Sequence, residues 1–302
     1  MKDWIDFGLV RDFAAEQTEA YRLCSSPDGW VERYGSDVLV SYKTESAREQ
    51  ILHELDEWTL LASERFDRVF GRFLPKQNAE RNPPILISSD PSAPLQSTVL
   101  ERNVCYTLDF GAGYSAGLFI DQRENRGFVR RAAPRRMLNC FAYTCSFSVV
   151  AGLAGAETLS IDLSKKSLNR GRDNFVLNRI ATDRHRFMAD DVMSVLPRLA
   201  RKNERFDCII LDPPTFSRSR TGKAWQVEHD FEKLLLAALE VAERDAKILL
   251  STNCTRLNER GLEVMGRFCL KATRRAGTFR KPVRLPDFPL GVAARSLWLI
   301  LR

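Results

Sequence analysis

The sequence predicts an α/β protein: a parallel, doubly wound sheet over the C-terminal two-thirds, preceded by a smaller α+β region. Three observations lead there. From residue 135 onward, short β-type runs alternate with helical patterns, the rhythm of parallel strands joined by crossover helices. The tips of three successive runs carry aspartates. The charge also changes sign along the chain, with 12 Lys and Arg against 19 Asp and Glu over residues 1–110, and 34 against 20 over the rest.

Taken in order, residues 1–80 look helical in stretches. In "ESAREQILHELDEWTLLASERFDRVFGRFL" (45–74) apolar residues recur at three and four. "KQNAERNPP" breaks the run. "ILISSD" and "STVLERNVCYTLDF" alternate as strands, with a hairpin turn at Glu101–Asn103. "GAGYSAG" is a flexible connection. A boundary is expected near residue 115, giving an N-terminal α+β domain over 1–115 and a larger domain over 116–302.

The rhythm then changes. "RRMLNCF" reads as a strand and "SFSVVAGLAGA" as a helix. "ETLSIDL" is a strand, followed by the helix "KKSLNRGRDNFVLNRI". "RHRFMAD" is a strand and "VMSVLPRLARK" a short helix. "FDCIILD" is a strand and "EHDFEKLLLAALEVAER" a helix. "AKILLSTN" is a strand and "RLNERGLEVMGRFCLKATRRAG" a helix. "SLWLILR" is the last strand. Right-handed crossovers place all C-terminal strand ends on one edge, where such sheets bind ligands.

Composition narrows the function. No apolar run approaches the ~18 residues of a membrane helix, and acids interrupt "MKDWIDFGLVRDFAAEQ", which argues against a signal peptide. The seven cysteines show no paired CxxC spacing, which points to reduced thiols in a cytoplasmic protein without a zinc site. Three histidines leave little for His-centred chemistry. A basic C-terminal two-thirds points to a polyanionic partner, or to a solvated surface with a basic bias. Oligomeric state is not legible, and a homodimer stays open.

The strand tips carry the chemistry. The first is followed by "NCFAYTCSFS", the second ends in Asp162, the third in Asp190 and Asp191, the fourth in "DPP" (Asp212, Pro213, Pro214), and the fifth in Cys254. Asp162 either caps the following helix or accepts from both hydroxyls of a ribose. The company of Asp191 and Asp212 favours the ligand. The first loop has no GxGxxG, so a pyrophosphate nest is not expected, and a nucleoside without phosphates, such as S-adenosylmethionine, fits better.

"LNCFAYTCSFSVVAGLAGAETLSIDLSKKSLNRGRDNFVLN", "DDVMSVL" and "FDCIILDPPTFSRS", with the lead-in "YSAGLFIDQRENR", resemble the class I methyltransferases of bacterial 23S ribosomal RNA bases. Two members are relevant, a cytosine-C5 methyltransferase and the guanine-N7 methyltransferase half of a fused enzyme. The resemblance spans about residues 95–302. It implies a Rossmann-like, seven-stranded class I methyltransferase sheet with a small N-terminal α+β domain, S-adenosylmethionine as donor and RNA as partner. It further implies that Asn139, Phe141, Tyr143, Thr144 and Ser146 surround the methionine part. Asp162, with Leu163, would hold the ribose, and Asp191, with Asp190, the adenine. Asp121 and Arg123 would lie near the donor or the base. Asp212, Pro213 and Pro214 would hold a flipped base, and Arg218, Arg220 and Lys223 would meet phosphates. Two departures stand out. Cys145 and Ser146 replace the family's Gly-Gly, so a loop needing a glycine φ would have to bend differently. The N-terminal residues also do not resemble the PUA domain of the cytosine-C5 member.

The acceptor base turns on Cys254. Cytosine C5 needs a thiolate added at C6, whereas guanine N7 already has a lone pair. Cys254 aligns with the nucleophile of the cytosine-C5 member, while "DPPTFS" is closer to the guanine-N7 member, and a packing role for Cys254 is open as well. Cytosine C5 is slightly favoured. Cys140, Cys145 and Cys208 read as packing residues. A non-catalytic RNA-binding protein on the same scaffold, a small-molecule or protein methyltransferase and, weakest, an NAD-dependent oxidoreductase are the other readings.

Overall fold

The first 80 residues, expected to be helical in stretches, hold two helices and, between and around them, five strands among the described residues. The computed structural model describes residues 3–75, 81–88, 92–218, 224–289 and 292–302. In it β1 (Asp3–Trp4), α1 (Phe7–Ala15), β2 (Ala20–Ser26), β3 (Gly29–Tyr34), β4 (Asp37–Tyr42), α2 (Glu45–Ala62), β5 (Arg68–Phe73) and β6 (Ile85–Ser88) follow one another. Their strands form a six-stranded sheet in chain order. Only the β4–β5 pair is parallel, and α2 is its crossover. All six residues of β4 and the first five of β2 are buried, so neither shows the alternation of a half-exposed strand. The helix expected over 45–74 is capped by Thr44, whose hydroxyl accepts from the N–H of Ala47, and it stops at Ser63, which takes a left-handed φ of 53°. "RVFGRF" then runs as a strand beside β4. Phe13, Ile51, Leu55 and Trp58 cover one face of the sheet. The expected hairpin is present as β7 (Gln96–Glu101) and β8 (Val104–Asp109), with Arg102 and Asn103 at φ 50° and 59° in its turn.

The second part continues with a 3-10 turn (Ile120–Gln122), α3 (Arg123–Ala132), β9 (Arg136–Cys140), α4 (Ser146–Leu153), β10 (Glu157–Asp162), α5 (Lys165–Leu177), β11 (His185–Ala189), α6 (Val192–Arg201) and β12 (Phe206–Leu211). After these come β13 (Phe216–Arg218), β14 (Ala224–Gln226), α7 (Val227–Leu239), β15 (Ala242–Thr252), α8 (Glu259–Ala272), β16 (Gly277–Arg280) and β17 (Arg295–Leu301). The seven-stranded sheet has the order β11-β10-β9-β12-β15-β17-β16. β9 to β12 and β15 are parallel, and β17 is antiparallel to both of its neighbours. The strand order reverses between β9 and β12, the switch point at which such sheets bind ligands. Six of these strands were expected from the sequence. The seventh, β16, starts at Gly277, the last residue of a helix expected over 256–277 that in fact ends at Ala272. The helix expected over 228–244 ends at Leu239, because Ala242 already pairs with Phe206. Helix α3 and the β13–β14 hairpin were not anticipated.

The chain divides into two compact units, Met1–Asp121 with Leu285–Leu290, and Gln122–Arg284 with Gly291–Arg302. The boundary expected near 115 falls six residues earlier than the first of these breaks, and the return of 285–290 to the first unit carries no sequence signal. No described helix is long and apolar enough to cross a membrane. The described residues hold no group of three or more His, Cys, Asp or Glu placed to bind a metal ion.

Candidate active site

The loop after β9 alternates left-handed residues. Phe141, Tyr143 and Cys145 have φ of 58°, 47° and 61°, at a cost of roughly 1 kcal/mol or more each. Cys145 keeps the left-handed bend expected of a glycine, so the loop does not bend differently for lack of one. Its room comes from Gly171 on α5, where a Cβ would stand 2.4 Å from the Cys145 sulfur. Hydrogen bonds hold the loop. The N–H of Ala142 donates to the Ile161 carbonyl (2.9 Å), and that of Cys145 to the Ala142 carbonyl (2.7 Å). The N–H of Tyr143 donates to Asp162 Oδ2 (2.8 Å), and the Asn174 amide to the Thr144 carbonyl (2.9 Å).

Asp162 ties this loop to the tip of β10. Its other oxygen accepts from the N–H of Ser164 at 2.8 Å. Burial pushes its carboxyl above the usual range, against the pull of the Ser164 and Tyr143 N–H groups. It is not the cap of α5, since Ser164 takes that role through Ser167. Asp191, by contrast, does cap its helix. Its oxygens accept from the N–H of Met193 (3.3 Å) and the hydroxyl of Ser194 (3.1 Å). Asp190 accepts from the N–H of Asp191 and pairs with Arg198. Leu163 sits half-buried between Asp162 and the cap of α5.

Asn139 lies inside the fold. It is 1% exposed, and its amide donates to Ser148, whose hydroxyl meets Ser160. It therefore joins β9, α4 and β10 and leaves no surface for a ligand. Arg123 is likewise fully enclosed at the start of α3, and Asp121 is the last residue of the first unit's main segment. Ser146 begins α4, and its hydroxyl accepts from Arg126 at 3.5 Å. Arg126 is itself buried and lies over the Phe147 ring.

Beyond β12, Asp212 accepts from the Gln122 amide at 3.2 Å. Pro213 is buried and Pro214 exposed. The carbonyl of Pro214 accepts from the Trp225 indole at 3.0 Å, and that ring rests 5.7 Å from the ring of Phe141. The β13–β14 hairpin is thus folded back on the first loop. Arg218 ends β13, while Arg220 and Lys223 lie outside the described residues.

Cys254 follows β15 and is 3% exposed. Its thiol donates to Glu228 Oε1 at 3.3 Å, and Arg256 stands 3.5 Å from the other oxygen of Glu228. A carboxylate, held by a cation, is therefore the partner of the thiol. The other thiols near the sheet are packing groups, as expected. Burial pushes Cys145 and Cys208 up to about 12 and Cys140 higher still.

The topology thus brings residues 141–146, Asp162, Asp190, Asp191, Asp212–Pro214 and Cys254 to one edge of the sheet. Sequence reasoning passed over Gln122, Arg126, Trp225 and Glu228. Gln122 lies inside "YSAGLFIDQRENR" between Asp121 and Arg123, and a neutral amide there carries no signal of its own.

The chain is similar to known methyltransferases in sequence and in fold. A profile of S-adenosylmethionine-dependent methyltransferases matches residues 50–257. The chain is 27% identical over 290 residues to ribosomal RNA large subunit methyltransferase I of Tolumonas auensis, covering 91% of this chain and 71% of that protein. It is 37% identical over 189 residues to ribosomal RNA large subunit methyltransferase K/L of Pseudoalteromonas translucida, covering 61% of this chain and 25% of that protein. A crystal structure described as a methyltransferase complexed with SAH superposes with a TM-score of 0.82 at 25% identity, covering 98% of this chain and 78% of the other.

Proposed function

Because the chain belongs to the S-adenosylmethionine-dependent methyltransferase family, we propose that it methylates a base of RNA, specifically of large-subunit ribosomal RNA, with cytosine C5 as the favoured acceptor. The names of the Tolumonas and Pseudoalteromonas relatives support the RNA class. The excess of Lys and Arg over residues 111–302 supports a polyanionic partner.

The strand tips fit the donor. Asp162 is an acceptor at the end of β10, where a ribose would sit, with Asp190 and Asp191 one strand further on. S-adenosylmethionine supplies an electrophilic methyl group when bound. Asp162 would hold the ribose hydroxyls, and the strained loop of Phe141, Tyr143, Thr144 and Ser146 would enclose the methionine end. Asp212 would accept a hydrogen bond from the exocyclic amine of the base, beside the two stiff prolines. Arg218, Arg220 and Lys223 would meet phosphates.

The observation that carries the choice of base is the contact of Cys254 with Glu228. The thiol gives its proton to Glu228, and sulfur bonds to C6 of cytosine. The electron pair released at C5 would take the methyl group, the electrons of the broken S–CH3 bond staying with the donor's sulfur as a neutral thioether. Loss of the C5 proton to a base then breaks the S–C6 bond and returns the thiolate. Guanine N7 is the second reading. It rests on the "DPPTFS" segment, which resembles the guanine-N7 member more closely than the cytosine-C5 one. N7 attack needs only positioning.

RNA containing 5-fluorocytosine separates the two, because fluorine blocks the final elimination. The wild type is expected to form a complex that survives denaturation. Cys254→Ala is expected to form none and to lose methyl transfer while still binding donor. Full activity of Cys254→Ala would move the assignment to guanine N7.

A further inference from the structure

Asp212 is the end of a chain of side-chain hydrogen bonds whose direction is imposed from β17, two strands along the sheet from β12. The indole N–H of Trp298, on β17, donates to Asn125 Oδ1 at 2.9 Å. The Asn125 amide donates to Gln122 Oε1 at 2.7 Å. Gln122 Nε2 donates to Asp212 Oδ2 at 3.2 Å and to the hydroxyl of Ser251 at 2.8 Å. Ser251 is also met by the hydroxyl of Ser296 at 3.2 Å. Trp298, Asn125, Gln122, Ser251 and Ser296 are all at least nine-tenths buried.

An amide side chain can present either end to a neighbour, and an indole can only donate. The direction of the whole chain follows from that asymmetry. Trp298 obliges Asn125 to turn its oxygen toward β17 and its amine toward Gln122. Gln122 must then receive with its oxygen and donate with its amine. An Asn125 flipped end for end would set two donors against each other inside the fold, and an unmade buried bond costs about 1–3 kcal/mol. The amine of Gln122 is therefore directed at Asp212, and Oδ2 of Asp212 must be an acceptor.

We propose that Gln122 is a positioning residue for Asp212, and that Trp298 and Asn125 set its polarity. The relay directs the Gln122 amine at Oδ2 of Asp212, so that this oxygen faces a donor. A carboxylate so held is set to accept from a target base. The site thereby selects an acceptor base that offers an N–H beside the methylated atom, such as an exocyclic amine. This inference rests on the reading that Asp212 faces the base.

The test uses the full chain, ribosomal RNA from a strain lacking the gene, and S-adenosylmethionine. Gln122→Glu keeps the shape and removes the amine, so two carboxylates face each other at neutral pH. Its kcat is expected to fall roughly tenfold to a hundredfold, the effect of losing one hydrogen bond to a charged group, while the Kd for the donor stays within twofold. The lost activity should return in part as pH falls toward the carboxylate range, where one proton shared by the pair restores a donor. Gln122→Met should lose kcat without that recovery. Trp298→Phe, which keeps a ring against Phe128, should also lower kcat at unchanged donor Kd. In an Asp212→Asn background, Gln122→Glu should add little. Wild-type kcat and pH profile in Gln122→Glu, with Asp212→Asn impaired, would overturn the relay alone. Wild-type turnover by Asp212→Asn would overturn the reading of Asp212 on which the relay rests.

Discussion

The two units each bury a polar network, and the networks are built to different ends. In the first, Glu32 receives Arg22 at 3.1 Å on one oxygen and Arg72 at 3.0 Å on the other. The guanidiniums are stacked in turn on aromatic rings, Arg22 on Phe288 and Trp30, and Arg72 on Trp30 and Tyr114. Both oxygens of Glu32 are spent on cations, although Arg22 Nε and Trp30 Nε1 are buried without a partner among the described residues. In the second unit the network from Trp298 to Gln122 consists of neutral groups and ends on one carboxylate at the ligand edge. A closed charge cluster acts on stability, because removing one member strands the others in a low dielectric. A neutral chain that ends on a carboxylate at a strand tip acts on orientation, since its last member is the only charged one.

The largest effect should come from breaking the closed network. Glu32→Gln leaves two buried guanidiniums facing a neutral group and is expected to destabilise the fold by about 3–5 kcal/mol, read from urea unfolding midpoints. A change under about 1 kcal/mol would mean that the cluster is compensated elsewhere.

Asp212→Asn should do the reverse. It ought to leave the unfolding midpoint nearly unchanged while turnover falls by roughly 1.5–3 kcal/mol of barrier, the range for a hydrogen bond to a charged group. Steady-state methyl transfer and urea titration on one preparation separate the two effects.

Asp162→Ala sharpens the comparison, because Asp162 belongs to both kinds. It holds the strained loop through Tyr143 and is the expected ribose partner. Donor affinity should weaken by about 1.5–3 kcal/mol, and some stability should go with it. Calorimetry showing the wild-type Kd would remove the ribose assignment.

The smallest effect is one of pH. His185 packs on Phe175 and meets the Thr158 hydroxyl at 3.0 Å. Burial lowers its pKa below the ordinary 6.5, with Arg184 adding to the shift and Asp183 and Glu157 opposing it. The unfolded chain thus binds the proton more readily. Stability is full above 6.5 and is lost as pH falls from there toward the folded value. Tm should decline over that window, and His185→Asn should flatten the decline. An unchanged slope would exclude His185 as its source.

Much of the second unit was legible because its signals are local. A strand tip followed by "DPP", an aspartate after "LSI" and the alternation of apolar strands with helices each occupy a few adjacent residues. The first unit was harder to read. β2 and β4 are covered on both faces, so their patterns lose the period of two that marks a strand. Asp162 and Asp191 could not be told apart as cap and ligand, since both precede helices. The structure assigns one cap to Ser164 and the other to Asp191 itself.

Residue types and their order therefore suffice for the parallel sheet and for which side chains stand at its strand tips, because hydrogen-bond capacity and hydrophobic period are written one residue at a time. The tertiary structure alone decides which partner each polar group meets. The loop could keep its left-handed bend at Cys145 only because Gly171, 26 positions away, leaves room for the sulfur. Cys254 could have lain beside a cation, and it lies beside Glu228. The direction of the Gln122 amide is settled by Trp298, 176 positions later in the chain, because only packing brings a donor-only group to the far end of that relay.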